Sequence, residues 1–129
     1  MAEYQSKEEL YEVLDQVVEA LGEDEAFQSR IANANSSLAF VVSDLDNAEY
    51  TLSFKKGELS CEPGGAAGAT VAITCKADTL DKLLSGKLSG ESAYFSGAIR
   101  LRGDEWVAQG MASYLRYMGP LYREATSST

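Results

Sequence analysis

The sequence predicts an α+β fold, with a single five-stranded, mostly antiparallel sheet and helices packed on one face. Three observations predict it. Apolar residues recur at helical spacing as far as Ile31 and switch to strict alternation at Leu38. Three alternating runs then follow one another with only turn residues between them. Helical spacing returns after Asp78 and again after Asp104, which sets helices at both ends of the chain and in one late crossover.

Ser6-Lys7-Glu8-Glu9 has the spacing of a capping box, in which the Ser6 hydroxyl accepts from the Glu9 amide and Glu9 reaches back to the Ser6 amide. Leu10, Leu14, Val17, Val18 and Leu21 give the helix that follows one apolar face, and Gly22 is placed to end it in a left-handed conformation. Asp24 caps a second, shorter helix with Phe27 and Ile31 one turn apart. Leu38, Phe40 and Val42 share one face of the first strand. Asp44–Asn47 supplies a turn, and Tyr50, Leu52 and Phe54 alternate along the second strand. Lys56-Gly57 turns the chain into a third strand that carries Leu59 and Cys61 on one side, which completes an antiparallel meander.

Residues 63–69 form a Gly/Ala loop expected to have no structure of its own. Val71, Ile73 and Cys75 mark a fourth strand. Asp78 is the expected cap of a short helix with Leu80, Leu83 and Leu84, stopped by Gly86. A brief helical turn around Ser92–Phe95 leads to a fifth strand, Ala98–Arg102, with Ile99 and Leu101 inward and Arg100 and Arg102 outward. Asp104 then caps a final helix expected to end near Met118, before Gly119-Pro120.

At 129 residues the chain has the length of one domain, and no shift in composition marks a boundary. The expectation is one domain over residues 1–124 and a flexible tail over residues 125–129. A net charge of −9 argues against a nucleic-acid partner and against tight docking on anionic lipid. The charge is uneven, with nine acids against Lys7 alone from Glu3 to Glu25 and seven bases from Lys76 to Arg123. A solvated acidic helix face accounts for the first run, and weak steering by the basic half is the alternative. No apolar run resembles a signal peptide or approaches a membrane span, so Cys61 and Cys75 read as reduced core thiols and the chain as cytoplasmic, without stable membrane insertion.

The chain holds no histidine, which removes the commonest general base and the Ser-His and Cys-His pairs. Three near-motifs fail mechanically. Asp44-Leu45-Asp46-Asn47 opens like a calcium loop, but Ala48 and Glu49 stand where a ligand and a glycine are needed. Gly64-Gly65-Ala66-Ala67-Gly68 leads into a strand rather than a phosphate-binding helix, and Gly86-Lys87 is followed by Leu88 where a phosphate loop needs Ser or Thr. Asp104-Glu105 beside Trp106 reads as a helix cap plus a dipole-complementing acid; a carboxyl with a raised pKa is the alternative. No catalytic residue, metal site or cofactor is named.

What remains is an apolar, aromatic interior with Met111 and Met118 on the last helix, an adaptable surface whose ordinary reading is core. The run Leu80-Asp81-Lys82-Leu83-Leu84-Ser85-Gly86-Lys87-Leu88, followed by Ser92-Ala93-Tyr94-Phe95-Ser96-Gly97-Ala98-Ile99-Arg100-Leu101-Arg102-Gly103-Asp104, shifts that reading. It resembles the sterol carrier protein 2 family: a Leu-rich helix, a Gly-Lys-Leu turn, an aromatic before Ser-Gly, an alternating strand and a Gly-Asp helix start. The short turn is expected to hold Tyr94 and Phe95 against the sheet. The likeness extends over about Leu10 to Met118.

The resemblance implies an SCP2-like domain with an apolar tunnel between sheet and helices that binds a sterol, fatty acid or fatty acyl-CoA without catalysis. The expected wall is Phe40, Leu52, Phe54, Leu84, Phe95, Ile99, Trp106, Met111, Tyr114, Leu115 and Met118. The end Thr126-Ser127-Ser128-Thr129 differs from the Ser-Lys-Leu-type peroxisomal address of many members. The chain's acidity favours lipid binding over transfer at a membrane. The rival reading gives the same apolar face to a protein partner or a second subunit, in a homodimer or as an accessory module. An enzyme working through carboxylates and tyrosine is the weakest reading, for want of a nucleophile–base pair.

Overall fold

The Ser6 hydroxyl accepts from the Glu9 amide at 3.3 Å and opens α1 (Lys7–Glu23), whose Leu10, Val13, Leu14, Val17, Val18 and Leu21 form one buried stripe. Each such side chain withdrawn from water stabilises the fold by roughly 1.5–3 kcal/mol before chain entropy is counted. The computed structural model describes residues 4–127. Gly22 lies inside the last turn of α1. The helix ends instead because Asp24 turns extended (φ −87°, ψ 109°) to cap α2 (Glu25–Arg30), accepting from the Phe27 amide at 3.1 Å.

β1 (Asn35–Val42) pairs antiparallel with β2 (Ala48–Lys55), and β2 with β3 (Glu58–Pro63), as the alternation predicts. The register sets Leu38 opposite Leu52 and Phe40 opposite Tyr50, so the apolar side chains share the helix-covered face. β4 (Val71–Cys75) runs parallel to β1, and the short β5 (Arg100–Gly103) returns antiparallel at the edge, for an order β3-β2-β1-β4-β5. The sheet is therefore mixed, with one parallel pair among four, and mostly antiparallel.

The parallel pair needs a crossover, and residues 63–69 provide it on the face away from the helices. This segment is more ordered than its composition suggests. It holds a 3-10 turn, Ala66–Gly68, and buries Ala66 and Ala69 against Ala39 and Ala72. The Thr51 hydroxyl donates to the Gly64 carbonyl at 2.6 Å, and Arg102 donates to the Ala66 carbonyl. Small side chains let the crossover lie close to the strands, which is why glycine and alanine here signal contact rather than looseness.

α3 (Ala77–Ser85) takes Lys76, not Asp78, as its N-cap residue. Asp44 of the β1–β2 turn accepts from the Ala77 amide at 2.8 Å, and Asp78 instead pairs with Lys82 at 3.2 Å. α4 (Gly90–Ser96) is anchored by fully buried Ala93 and stopped by Gly97 in the left-handed region (φ +80°). This anchoring leaves its aromatics outward. Phe95 is 77% exposed and Tyr94 41%, contrary to the expectation that the turn holds both against the sheet.

α5 (Glu105–Ser127) continues through Gly119-Pro120 rather than stopping near Met118. Proline inside a helix forfeits a hydrogen bond and strains the preceding turn, at roughly 3 kcal/mol. The contacts beyond it offset that cost. Met118, Tyr122 and Ala125 are buried on helices α1 and α3, and Arg123 donates to the Ser85 carbonyl. The expected tail is thus helical as far as Ser127, with Ala125 buried; residues 128–129 lie outside the described residues.

Two tyrosine–aspartate contacts tie these helices to the core. The Tyr122 hydroxyl donates to buried Asp81 Oδ1 at 2.8 Å and also meets the Tyr4 hydroxyl; the Tyr50 hydroxyl donates to Asp15 Oδ1 at 2.6 Å. Burial, reinforced by these acids, pushes Tyr122 and Tyr50 far above the ordinary phenol value. Burial pushes Tyr4 up to about 12 and the Cys75 thiol up to about 12. In each case the folded state holds a proton that the unfolded chain releases first. The associated stability is full below the unfolded values of 9.0 for the thiol and 10.0 for the phenols, and is lost as pH rises beyond them. Urea midpoints are expected to fall from about pH 9 upward, less steeply in Tyr122→Phe; a midpoint flat to about pH 11 would contradict this.

Candidate functional site

The apolar face of β1, β4 and β5 is not fully covered. Leu38, Val71, Ile73 and Leu101 form the floor of a cavity of about 680 Å³. Ile99 enters from just before β5, Leu83 from α3, and Gly90, Glu91, Tyr94 and Phe95 from α4. Glu105, Ala108, Gln109, Met111 and Leu115 close it from the first half of α5. The space arises because α5 is anchored on α1 and α3, while small Ala108 stands over the edge of the sheet. A volume of this order suits one medium-sized organic ligand, and an aliphatic lining favours apolar contents over water.

Interior and mouth differ in character. Leu38, Val71, Ile73, Leu83, Ile99 and Met111 are buried, whereas Glu91, Phe95, Glu105 and Gln109 are exposed at the rim. The Tyr94 hydroxyl donates to Glu105 Oε1 at 2.9 Å, which raises the phenol's pKa because the phenolate would face a carboxylate. Asp104 accepts at Oδ1 from the Trp106 amide at 2.8 Å and the Val107 amide at 3.3 Å. Asp104 is therefore the α5 cap and Glu105 a rim residue. Neither cysteine lines the cavity, and burial raises both thiols, which disfavours thiolate chemistry.

Of the expected wall, Phe95, Ile99, Met111 and Leu115 line this cavity. Phe40, Leu52, Phe54, Leu84 and Met118 are buried in the packed core. Tyr114 lies in an aromatic cluster, its ring 4.9 Å from Phe54 and 5.7 Å from Phe27. Trp106 is 81% exposed and not among the lining residues. Its fluorescence is therefore expected to respond weakly to an occupant. Leu38, Val71, Ile73, Leu83 and Leu101 join the wall unanticipated. The inward alternation of the four strand residues and the helical spacing of Leu83 were legible, but which inward residues meet the cavity depends on strand order. Glu91 and Glu105 carry no signal beyond helix-start chemistry, and Gln109, in the second turn of α5, carries none.

The SCP-2 sterol transfer family matches residues 14–116. No curated protein matches the chain. Among solved structures, the sterol carrier protein domain 2 of Helicoverpa armigera is 21% identical with a TM-score of 0.69, over 93% of this chain and 95% of that one. Apo sterol carrier protein 2 from Yarrowia lipolytica is 14% identical with a TM-score of 0.68, over 91% and 96%. The inverting sec-alkylsulfatase Pisa1 from Pseudomonas sp. is 22% identical with a TM-score of 0.59 over 70% of this chain, which spans only 14% of that enzyme. At these identities the likeness is one of fold.

Proposed function

The chain belongs to the SCP-2 sterol transfer family, and from that premise we propose that it binds an apolar lipid, such as a sterol, fatty acid or fatty acyl-CoA, in the cavity under α4 and α5. The observation that carries this reading is the cavity itself: about 680 Å³, aliphatic within and polar only at its rim. Buried Leu38, Ile73, Ile99 and Met111 would hold the ligand body by excluding water, and the rim would orient its polar end. The role we read is binding: the one hydroxyl in the lining that meets a carboxylate, Tyr94 on Glu105, lies at the rim and not in the aliphatic interior.

A sterol has about 28 non-hydrogen atoms, and at ~0.3 kcal/mol each this gives ~8 kcal/mol, a micromolar affinity. Titration with the fluorescent sterol dehydroergosterol is expected to saturate at one molecule per chain in that range. A linear, non-saturating response, with a fluorescent fatty acid behaving likewise, would remove the proposal. Exposed Phe95 and Trp106 favour a second reading, contact with a second copy of the chain. A concentration-dependent dimer in sedimentation, lost on Phe95→Ser, would support that reading.

A further inference from the structure

The rim of the cavity has a charge and hydrogen-bonding character that selects among lipids. The charged residues lining it, among the described residues, are Glu91 and Glu105, both acidic. Donors to an anion at the rim are the Gln109 side-chain amide and the amide ends of helices, two of which begin there: Gly90 and Glu91 open α4, and Glu105 opens α5. Each end is partly capped from within the chain. Ser89 Oγ accepts from the Ser92 amide at 3.1 Å, and Asp104 takes the Trp106 and Val107 amides. Each first turn also carries a glutamate that answers the helix dipole. The Tyr94 hydroxyl, which could have donated to a ligand, is given to Glu105. What the rim leaves available is two carboxylates, which only accept, beside the Gln109 side-chain amide, which both donates and accepts, so its charge is wholly negative.

Resting on the lipid-binding reading, we propose that the cavity selects lipids whose polar end donates hydrogen bonds, an alcohol or an ammonium, over lipids ending in a carboxylate or phosphate. A hydroxyl or ammonium at the mouth meets Glu91 and Glu105 as acceptors, and the exposed faces of Tyr94 and Phe95 add favourable contacts for a cation. A carboxylate there meets two like charges and no lining cation, in a protein that is already strongly acidic. The selectivity is modest, because the glutamates are exposed and screened by salt.

Dodecylamine, dodecanol and dodecanoate share one chain length and differ only at the polar end. Their competition against bound dehydroergosterol at neutral pH and low salt isolates that end. The expected order is dodecylamine, then dodecanol, then dodecanoate, with dodecanoate about tenfold weaker than dodecylamine. Raising the salt should compress the ratio. The Glu91→Gln/Glu105→Gln double variant should reduce it to about twofold or less. Dodecanoate competing as well as dodecanol would overturn the selectivity while leaving lipid binding intact. A ratio unmoved by the double variant would also overturn it, since the glutamates would then not be its source. Saturable dehydroergosterol uptake with no competition from any of the three would overturn a selecting rim at this mouth. Failure of dehydroergosterol itself to bind would remove the lipid reading and this inference together.

Discussion

Gly103→Ala is expected to cost on the order of 4 kcal/mol, a large share of the roughly 5–15 kcal/mol that holds a domain folded. Gly103 pairs with Val71 at the end of β5 and has φ +115°, a region closed to side chains. A Cβ built there would lie 2.2 Å from the Thr70 carbonyl oxygen and 3.1 Å from the Val71 Cα, both backbone. Neither atom can yield without parting β4 from β5, the edge that carries Ile73 and Leu101 of the cavity floor. Gly97→Ala is the matched control. Its φ is +80°, but a Cβ would meet nothing within 4 Å, so only the roughly 1–2 kcal/mol of left-handed strain applies. Urea unfolding of the two variants measures the difference, and equal destabilisation would place the penalty in φ alone rather than in the strand contact.

The largest functional effect is expected from Ala108→Trp, which should weaken dehydroergosterol binding at least tenfold, about 1.4 kcal/mol. Ala108 lines the cavity from α5 and is only partly buried, so an indole there occupies existing space instead of displacing packed core. Thermal stability should therefore hold or rise slightly, as it does when a void is filled with apolar volume. Arg116→Trp adds the same side chain at an exposed position of the same helix and should leave binding intact. Loss of binding in both variants, or in neither, would locate the ligand elsewhere.

The parts of this fold legible in the sequence are those in which local chemistry and tertiary contact agree. The Leu10–Leu21 stripe specifies α1 because one helix face meets one core. The Leu38, Phe40, Val42 and Tyr50, Leu52, Phe54 alternations specify a hairpin whose register follows from which face is buried. Where long-range contacts decide, local signals mislead. Pro120 reads as a stop, but burial of Tyr122 and Ala125 carries α5 onward. Asp78 reads as a cap, but Asp44, distant in sequence, supplies that hydrogen bond.

The cavity was legible only in part for the same reason. Phe40, Phe54 and Leu84 and the wall residues Ile73 and Leu101 are alike in being inward and apolar. What separates core from wall is whether the covering helix packs onto the strands or stands off them, and that depends on β4 and β5 forming the edge beneath the start of α5. Trp106 stands beside Glu105 in sequence, yet on a helix adjacent residues face about 100° apart. One lines the mouth while the other faces solvent.

The central claim is that the space under α4 and α5 holds one lipid. Native mass spectrometry of the protein incubated with dehydroergosterol, recorded beside its denatured spectrum, tests it most directly. The account predicts a population heavier than the bare chain by one sterol, saturating at one per chain, lost on denaturation and absent in Ala108→Trp. A bare chain at every sterol concentration, or several sterols bound without saturation and equally in Ala108→Trp, would contradict it.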